Sequence, residues 1–148
     1  MKKFRFRLEG VLKIKRFQAE QLQMEVASIQ AKVQNEQKQL VQMYENIEQS
    51  YALALEYKKN GKNIQGLLDQ VDAHIYGERH HIKEKSDQIR ILKQELERKE
   101  YEWLEMRKEV KKLEVLKDKK EQIFKKEMQK REQKEMDDLV NMRRKVVG

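Results

Sequence analysis

Three histidines, His74, His80 and His81, are the residues of this sequence whose types first suggest site chemistry. His80 and Glu84 stand four residues apart, so a helix would place an imidazole and a carboxylate on one face, where they could hold a metal ion. A zinc site needs at least three protein ligands, and the spacing supplies only two. We therefore interpret this cluster as solvated polar positions on a helix, and we predict no metal and no other cofactor.

Other catalytic signatures are missing from the sequence. There is no cysteine, which removes thiolate nucleophiles and disulfides. The glycines stand singly and form no phosphate-binding loop, and the carboxylates alternate with lysines as on a solvated helix face. These observations predict a protein that is not an enzyme.

The composition describes the scaffold that carries these residues. The 148 residues contain 41% charged side chains and no proline, and they are rich in Lys, Glu, Gln, Leu and Met, which favour helices. An apolar content of 38% can line a narrow seam but cannot fill a thick core. Disorder is the competing interpretation of such a polar chain, and periodicity decides between the two.

The periodicity is that of a coiled coil. Steps of four and three residues from Leu8 to Tyr57 reach an apolar residue at twelve of fifteen positions, and the same holds from Ile64 to Leu113. Between these seams lies a turn in which Gly61 can adopt a left-handed conformation and Asn63 can cap the next helix. We predict an all-α fold, a long antiparallel two-helix coiled-coil hairpin, in one domain over 1–148. Its parts are helix 1 at about 5–58, a turn at 59–63 and helix 2 at about 64–145.

Folding the chain at Gly61 brings the two seams into register. Glu36 then falls opposite Lys85, and Ala19, one of the two alanines of the first seam, falls opposite the largest seam residue, Trp103. These matches favour pairing within one chain, and we expect a monomer when the protein is free. The second seam loses its partner near Leu116, so the C-terminal helix should overhang as a lone helix that frays unless it is bound.

The net charge of +8 belongs to the two ends of the chain. Residues 1–16 carry +6 and residues 118–148 carry +3, whereas the middle carries −1. A nucleic-acid-binding coiled coil would present a continuous basic stripe, so we predict protein partners and no nucleic acid. No apolar run is long enough to cross a membrane and no apolar segment follows the basic start, which predicts a cytoplasmic protein.

Exposed aromatic residues are expected beside the seam, near the turn. Tyr44, Tyr51 and Leu55 follow helical spacing on helix 1, and Tyr76 and His80 do so on helix 2. A two-helix hairpin is too thin to bury a second stripe, so these residues form either a docking surface or extra packing beside the seam.

The two ends of the sequence resemble the FliJ family of bacterial flagellar export proteins. The resemblance rests on the opening segment from Phe4 to Arg16 and on the closing segment from Arg131 to Arg143. It implies a coiled-coil stalk, similar to the shaft of a rotary ATPase, that binds and activates the hexameric export ATPase. It also implies contacts with the membrane export gate protein and with export chaperones, in the cytoplasm at the inner-membrane side of the flagellar basal body, in a pathway that serves motility.

Carried onto this sequence, the resemblance gives two sets of candidate binding residues. The ATPase ring would contact Phe4, Arg5, Leu8, Arg16, Arg131, Leu139, Arg143 and Arg144. The export gate would contact the aromatic surface of Tyr44, Tyr51, Tyr76 and His80. Two alternatives stay open from the residues alone: a structural or tethering coiled coil, and a basic nucleic-acid-binding coiled coil.

Overall fold

The computed structural model describes residues 2–61 and 65–147, and within these ranges the protein contains two long helices and no strand. Helix α1 spans Glu9–Asn60 and helix α2 spans Gln65–Val147. Gly61 ends α1 with a φ of 70°, and its N–H donates to the Tyr57 carbonyl at 3.4 Å. This left-handed cap is the conformation predicted for Gly61. The predicted N-cap Asn63 and seam residue Ile64 lie outside the described residues.

The predicted seams are the packed faces of both helices. Every predicted seam position within the described ranges is buried or half-buried, whereas most positions between them are exposed. Apolar side chains at this spacing are shielded from water along both helices because the two helices pack against each other. The predicted fold class is confirmed. Contacts within the chain cluster into two compact units: a turn unit, Leu22–Glu102, and a terminal unit, Met1–Gln21 with Trp103–Gly148.

The turn unit holds a regular β-branched core. Its buried residues are Val26, Ile29, Val33, Ile75, Ile82 and Ile89. Lys85 Nζ lies 2.6 Å from Glu36 Oε2 in this seam, which confirms the predicted charge pair. The same ammonium donates to Gln39 Oε1 at 2.7 Å. This half-buried polar layer is therefore satisfied across the two helices rather than left unpaired.

The terminal unit pairs α2 with the first turns of α1 and with the segment that precedes it. Leu12 has no exposed surface, and Phe6 is also buried. Lys15 Nζ lies 2.6 Å from Glu109 Oε2, and Lys117 Nζ lies 2.9 Å from Glu9 Oε2. These pairs run antiparallel, as in the turn unit.

The first residues of the chain are not helical, contrary to the predicted start of helix 1 near residue 5. A turn precedes the helix, in which Glu9 N–H donates to the Phe6 carbonyl at 3.1 Å, and α1 begins at Glu9. Phe4 and Phe6 are shielded while Arg5 and Arg7 are exposed. This alternation has period two, which an extended chain satisfies and a helix does not. We call residues 2–8 the N-terminal strap.

The strap shortens the predicted overhang of α2. The Phe4 and Phe124 ring centroids are 5.7 Å apart, and Glu121, Phe124 and Met128 are half-buried. Pairing therefore continues past Leu116, where the prediction ended it. From residue 129 to residue 147 every side chain is exposed, although α2 continues to Val147. We call residues 129–147 the free stretch.

Candidate functional site

The N-terminal members of the predicted ring-binding set lie beside α2 in the terminal unit. Phe4 and Leu8 are half-buried, so each presents only part of its side chain, whereas Arg5 is exposed. Arg16 is engaged within the unit, because its Nη2 and Nε donate to Glu114 Oε1 at 3.1 and 3.3 Å. A partner that binds Arg16 must therefore compete with Glu114 or bind both together.

The C-terminal members, Arg131, Leu139, Arg143 and Arg144, are all exposed on the free stretch. Helical spacing places Arg143 close to the face of Leu139 and Arg144 on the far side of the helix. Further exposed apolar residues accompany them, and the sequence reasoning missed these: Met136, Val140, Met142, Val146 and Val147. The signal was available, since Met136 and Met142 lie three residues from Leu139 and Val146 lies seven residues after it, which places all three on its side of the helix.

Apart from Arg16, which is paired with Glu114, the predicted ring-binding residues thus form two patches. The strap patch surrounds the contact between Phe4 and Phe124, and the free-stretch patch extends to Arg144. Along α2, twenty residues separate Phe124 from Arg144, which corresponds to roughly 30 Å at the helical rise. A single globular partner domain would have to span this distance to contact both patches.

Ion pairs link the first two turns of α1 to α2. Hydrogen bonding by the Lys117 ammonium lowers the pKa of the Glu9 carboxyl, and hydrogen bonding by Lys15 lowers the pKa of the Glu109 carboxyl. Both shifts mean that the charged carboxylate is favoured in the folded unit. Solvent-exposed pairs of this kind orient the elements more than they stabilise them.

The predicted gate-binding residues lie in the turn unit. Tyr44, Tyr51, Tyr76 and His80 are all exposed, and Tyr76 is 80% exposed, which is too much for a residue that merely extends the packing. A residue missed by the sequence reasoning connects the two helices here. Arg79 Nη2 donates to the Tyr51 hydroxyl, and its guanidinium carbon lies 6.0 Å from the centre of the Tyr51 ring. The tyrosine face of α1 and the face of α2 that carries Arg79 therefore adjoin.

The histidine cluster makes only local contacts. His80 Nε2 lies 3.0 Å from Glu84 Oε1, and His81 Nδ1 lies 3.9 Å from Glu84 Oε2. Over residues 2–61 and 65–147, no group of three or more His, Cys, Asp or Glu side chains is arranged to hold a metal ion. In the same ranges, neither helix has an apolar stretch that could cross a membrane.

Comparison with protein-family models decides the affiliation of the chain. The family described as "Flagellar FliJ protein" matches residues 4–145, which is nearly the whole sequence. The chain belongs to the FliJ family. It is therefore a flagellar export-related protein of a non-enzymatic family. Comparisons with curated proteins and with solved structures each gave no match.

The FliJ match includes both patches and the tyrosine surface. It begins at Phe4, the strap residue packed on Phe124, and it ends at Lys145, inside the free stretch. The family resemblance predicted from the opening and closing segments is thereby confirmed. The individual contacts of the ring-binding and gate-binding residues stay predictions.

Proposed function

We propose that this FliJ-family protein is a coiled-coil stalk that binds the hexameric flagellar export ATPase through its terminal unit and promotes ring assembly and hydrolysis. The observation that carries the proposal is the free stretch: a helix exposed on all sides that combines an apolar stripe with Arg143, Arg144 and Lys145. A lone helix is marginal in water, so a partner that surrounds it supplies the burial that the chain does not.

Charge is the second argument for this proposal. The basic ends of the chain favour entry into a pore lined with acidic or polar loops, because long-range attraction speeds encounter and requires few fixed contacts. Ordering of the free stretch on binding lowers the affinity, since its conformational entropy is lost at that step. The stalk therefore binds with modest affinity and exchanges readily.

The same protein contacts the export gate through the tyrosine surface of Tyr44, Tyr51, Tyr76 and His80, to which we add Arg79. Exposed tyrosines beside an arginine are typical of the residues that dominate protein interfaces. Handling of export chaperones is the third activity in this proposal, and it rests on the family alone.

The principal experiment measures ATP hydrolysis by the purified export ATPase of the same organism as the full chain is added. The informative truncation ends at Met128, because it removes the free stretch and keeps Phe124 against Phe4. We expect stimulation by the full chain, a marked loss of stimulation by the truncated chain, and an unchanged melting temperature of the truncated chain. A truncated chain that stimulates fully would contradict ring binding through the free stretch.

Point variants refine the ring contact. Leu139→Glu should weaken stimulation about tenfold if the apolar stripe is gripped, because a buried carboxylate replaces an apolar contact. Gln133→Glu is the matched control, since it introduces the same side chain and the same change in net charge at an exposed position of the free stretch outside the predicted set. Equal loss in both variants would show that net charge, rather than the Leu139 face, governs binding.

The gate contact needs a separate measurement. Tyr76→Ala should reduce capture of the export gate protein in a pull-down, whereas Tyr101→Ala, an exposed tyrosine elsewhere on α2, should not. Equal capture by both variants would remove the tyrosine surface from the proposal and leave the ATPase contact untouched.

A further inference from the structure

A groove in the terminal unit carries a further inference. It encloses about 570 Å³ between the first turns of α1 and the facing part of α2. The floor is formed by Ala19 and Val110, and Leu104 forms an apolar wall that is 47% exposed. On the α1 side, Ala19 contributes only a methyl group to the lining, which leaves the groove wide at that point.

Cations dominate the rim of this groove. Arg16, Arg107, Lys108 and Lys111 line it, against the carboxylates of Glu20 and Glu114. Arg16 is bonded to Glu114 and Lys108 lies 3.2 Å from Glu105, so these two are partly neutralised.

Two rim cations form no ion pair among the described residues. Within the described residues, neither Lys111 nor Arg107 has a carboxylate within 4.0 Å, and the Arg107 guanidinium lies 5.0 Å from the centre of the Trp103 ring. An apolar floor beneath two available cations is complementary to a ligand that is apolar on one side and acidic along its edge.

We propose that this groove binds an amphipathic helix of a protein partner, with apolar residues facing Ala19, Val110 and Leu104 and carboxylates facing Arg107 and Lys111. The groove between two packed helices is the position that a third helix occupies in a bundle. Its lining on α2 runs from Leu104 to Glu114, which corresponds to roughly 15 Å, or about three helical turns. This surface is distinct from the residues proposed for the ring and gate contacts, apart from Arg16 at its end.

A nucleic acid fits the groove less well than an acidic helix. The floor offers aliphatic side chains rather than an aromatic platform on which bases could stack. An acidic helix places its apolar face on that floor and keeps its carboxylates at the cationic edge.

The test uses the full chain and a fluorescent synthetic helix of about 18 residues, with leucines at i, i+3, i+4 and i+7 and glutamates flanking them. Fluorescence anisotropy gives its dissociation constant. Three further probes are a scrambled peptide of identical composition, the same helix with lysines for glutamates, and an oligothymidylate. We expect the acidic striped helix to bind at least about tenfold more tightly than each of the other three.

Matched variants locate the binding. Leu104→Glu should weaken the acidic helix about tenfold, whereas Ile123→Glu, at a 56% exposed residue outside the groove, should leave it unchanged. Lys111→Glu should weaken binding of the acidic helix roughly fivefold, and the affinity of this variant should fall less steeply with salt concentration than that of the unmodified protein. Lys126→Glu should have no effect. Thermal unfolding followed by circular dichroism verifies that each variant folds.

Four outcomes would overturn the proposal. Equal binding of the scrambled peptide would mean that charge alone attracts it. Equal or tighter binding of the lysine helix would show that the rim does not select carboxylates. Oligothymidylate that displaces the acidic helix would identify a nucleic-acid surface. Equal losses in the Leu104→Glu and Ile123→Glu proteins would place the peptide elsewhere.

Discussion

The turn unit and the terminal unit use the same seam differently. Among the residues that the structure describes, the turn unit buries six β-branched residues at regular intervals on α1 and α2, whereas the terminal unit buries only Phe6 and Leu12. In the terminal unit an extended strap, ion pairs at its edges and a wholly exposed helical stretch replace the regular core.

The difference separates stability from recognition. Burial of apolar surface is the main source of folding free energy, so the turn unit should carry most of the stability of the chain. Exposed apolar and basic side chains contribute little to folding but are available to partners, so the terminal unit should carry most of the binding. Four substitutions or conditions test this division, in order of decreasing expected effect.

The largest effect should come from the core of the turn unit. Ile82→Ala should lower the free energy of unfolding by about 2–4 kcal/mol, because it removes buried methyl groups and leaves a cavity. Ile91→Ala, on the same helix but 58% exposed, should cost less than about 1 kcal/mol. Urea denaturation followed by circular dichroism measures both. Equal decreases in the free energy of unfolding would mean that burial in the seam is not the main source of stability.

The polar layer of the turn unit should show strong coupling. Lys85→Leu should cost about 1–2 kcal/mol, because Glu36 loses its partner in a site where their side chains are only 16% and 24% exposed. Glu36→Leu combined with Lys85→Leu should recover most of that loss, since no charge is then stranded. A double-mutant cycle in urea gives the coupling, and additive losses would show that the pair contributes independently.

The strap should respond locally to loss of its anchor. Phe6→Ala should weaken the closed state of the strap by about 1 kcal/mol while leaving the urea midpoint of the turn unit unchanged. Hydrogen exchange of the first turns of α1 should accelerate accordingly. Phe17→Ala, at an exposed phenylalanine of α1, is the control, and faster exchange in that protein as well would contradict anchoring by Phe6.

The smallest effect should be a pH dependence that differs between the units. Glu9 and Glu109 in the terminal unit have pKa values lowered from 4.5 by hydrogen bonds from Lys117 and Lys15. Their stabilisation is therefore complete above pH 4.5 and is lost as the pH falls through the lowered folded pKa values. Lys99 in the turn unit has a pKa raised from 10.5 by a hydrogen bond with Glu25, so its contribution is lost only as the pH rises above that value.

Trp103 fluorescence can follow this effect, because Trp103 lies in the terminal unit. The thermal midpoint should decline in acid, and Glu109→Gln should reduce the decline because the titrating carboxylate of the Lys15–Glu109 pair is gone. Glu135→Gln, which makes the same chemical change on the free stretch, should leave the decline as it is. An identical acid response in all three proteins would show that the Lys15–Glu109 pair does not contribute to the stability.

The sequence was sufficient to predict the packed faces, because a heptad repeat places its apolar residues on one side of a helix whatever the partner is. It also predicted the left-handed Gly61 and the Glu36–Lys85 layer, since both follow from local chemistry and a single fold-back rule. Residue-level function was less accessible, because exposure on a helix is compatible with many partners.

The strap was missed for a specific reason. The predicted start of helix 1 near residue 5 includes Phe6 in the helix, although the alternation of Phe4 and Phe6 with Arg5 and Arg7 has the period of an extended chain. The missing strap in turn hid the role of Phe124, which looked like an isolated aromatic in a polar run. Arg79 was missed because its partner, Tyr51, lies on the other helix, and that pairing depends on side-chain rotation rather than on spacing.

The antiparallel pairing also determines the order in which segments of the two helices can pair during synthesis. Tyr51 and Arg79 are 28 residues apart in sequence, whereas Arg16 and Glu114 are 98 apart. A ribosome adds roughly 5–20 residues per second, so Arg16 waits on the order of 5–20 s for its partner to be made. Closing a short loop costs less entropy than closing a long one, so the helices pair first near the turn and then progressively toward the termini. The first turns of α1 are thus the last part of that helix to gain a partner in the nascent chain, because the facing part of α2 around Glu114 is made so much later.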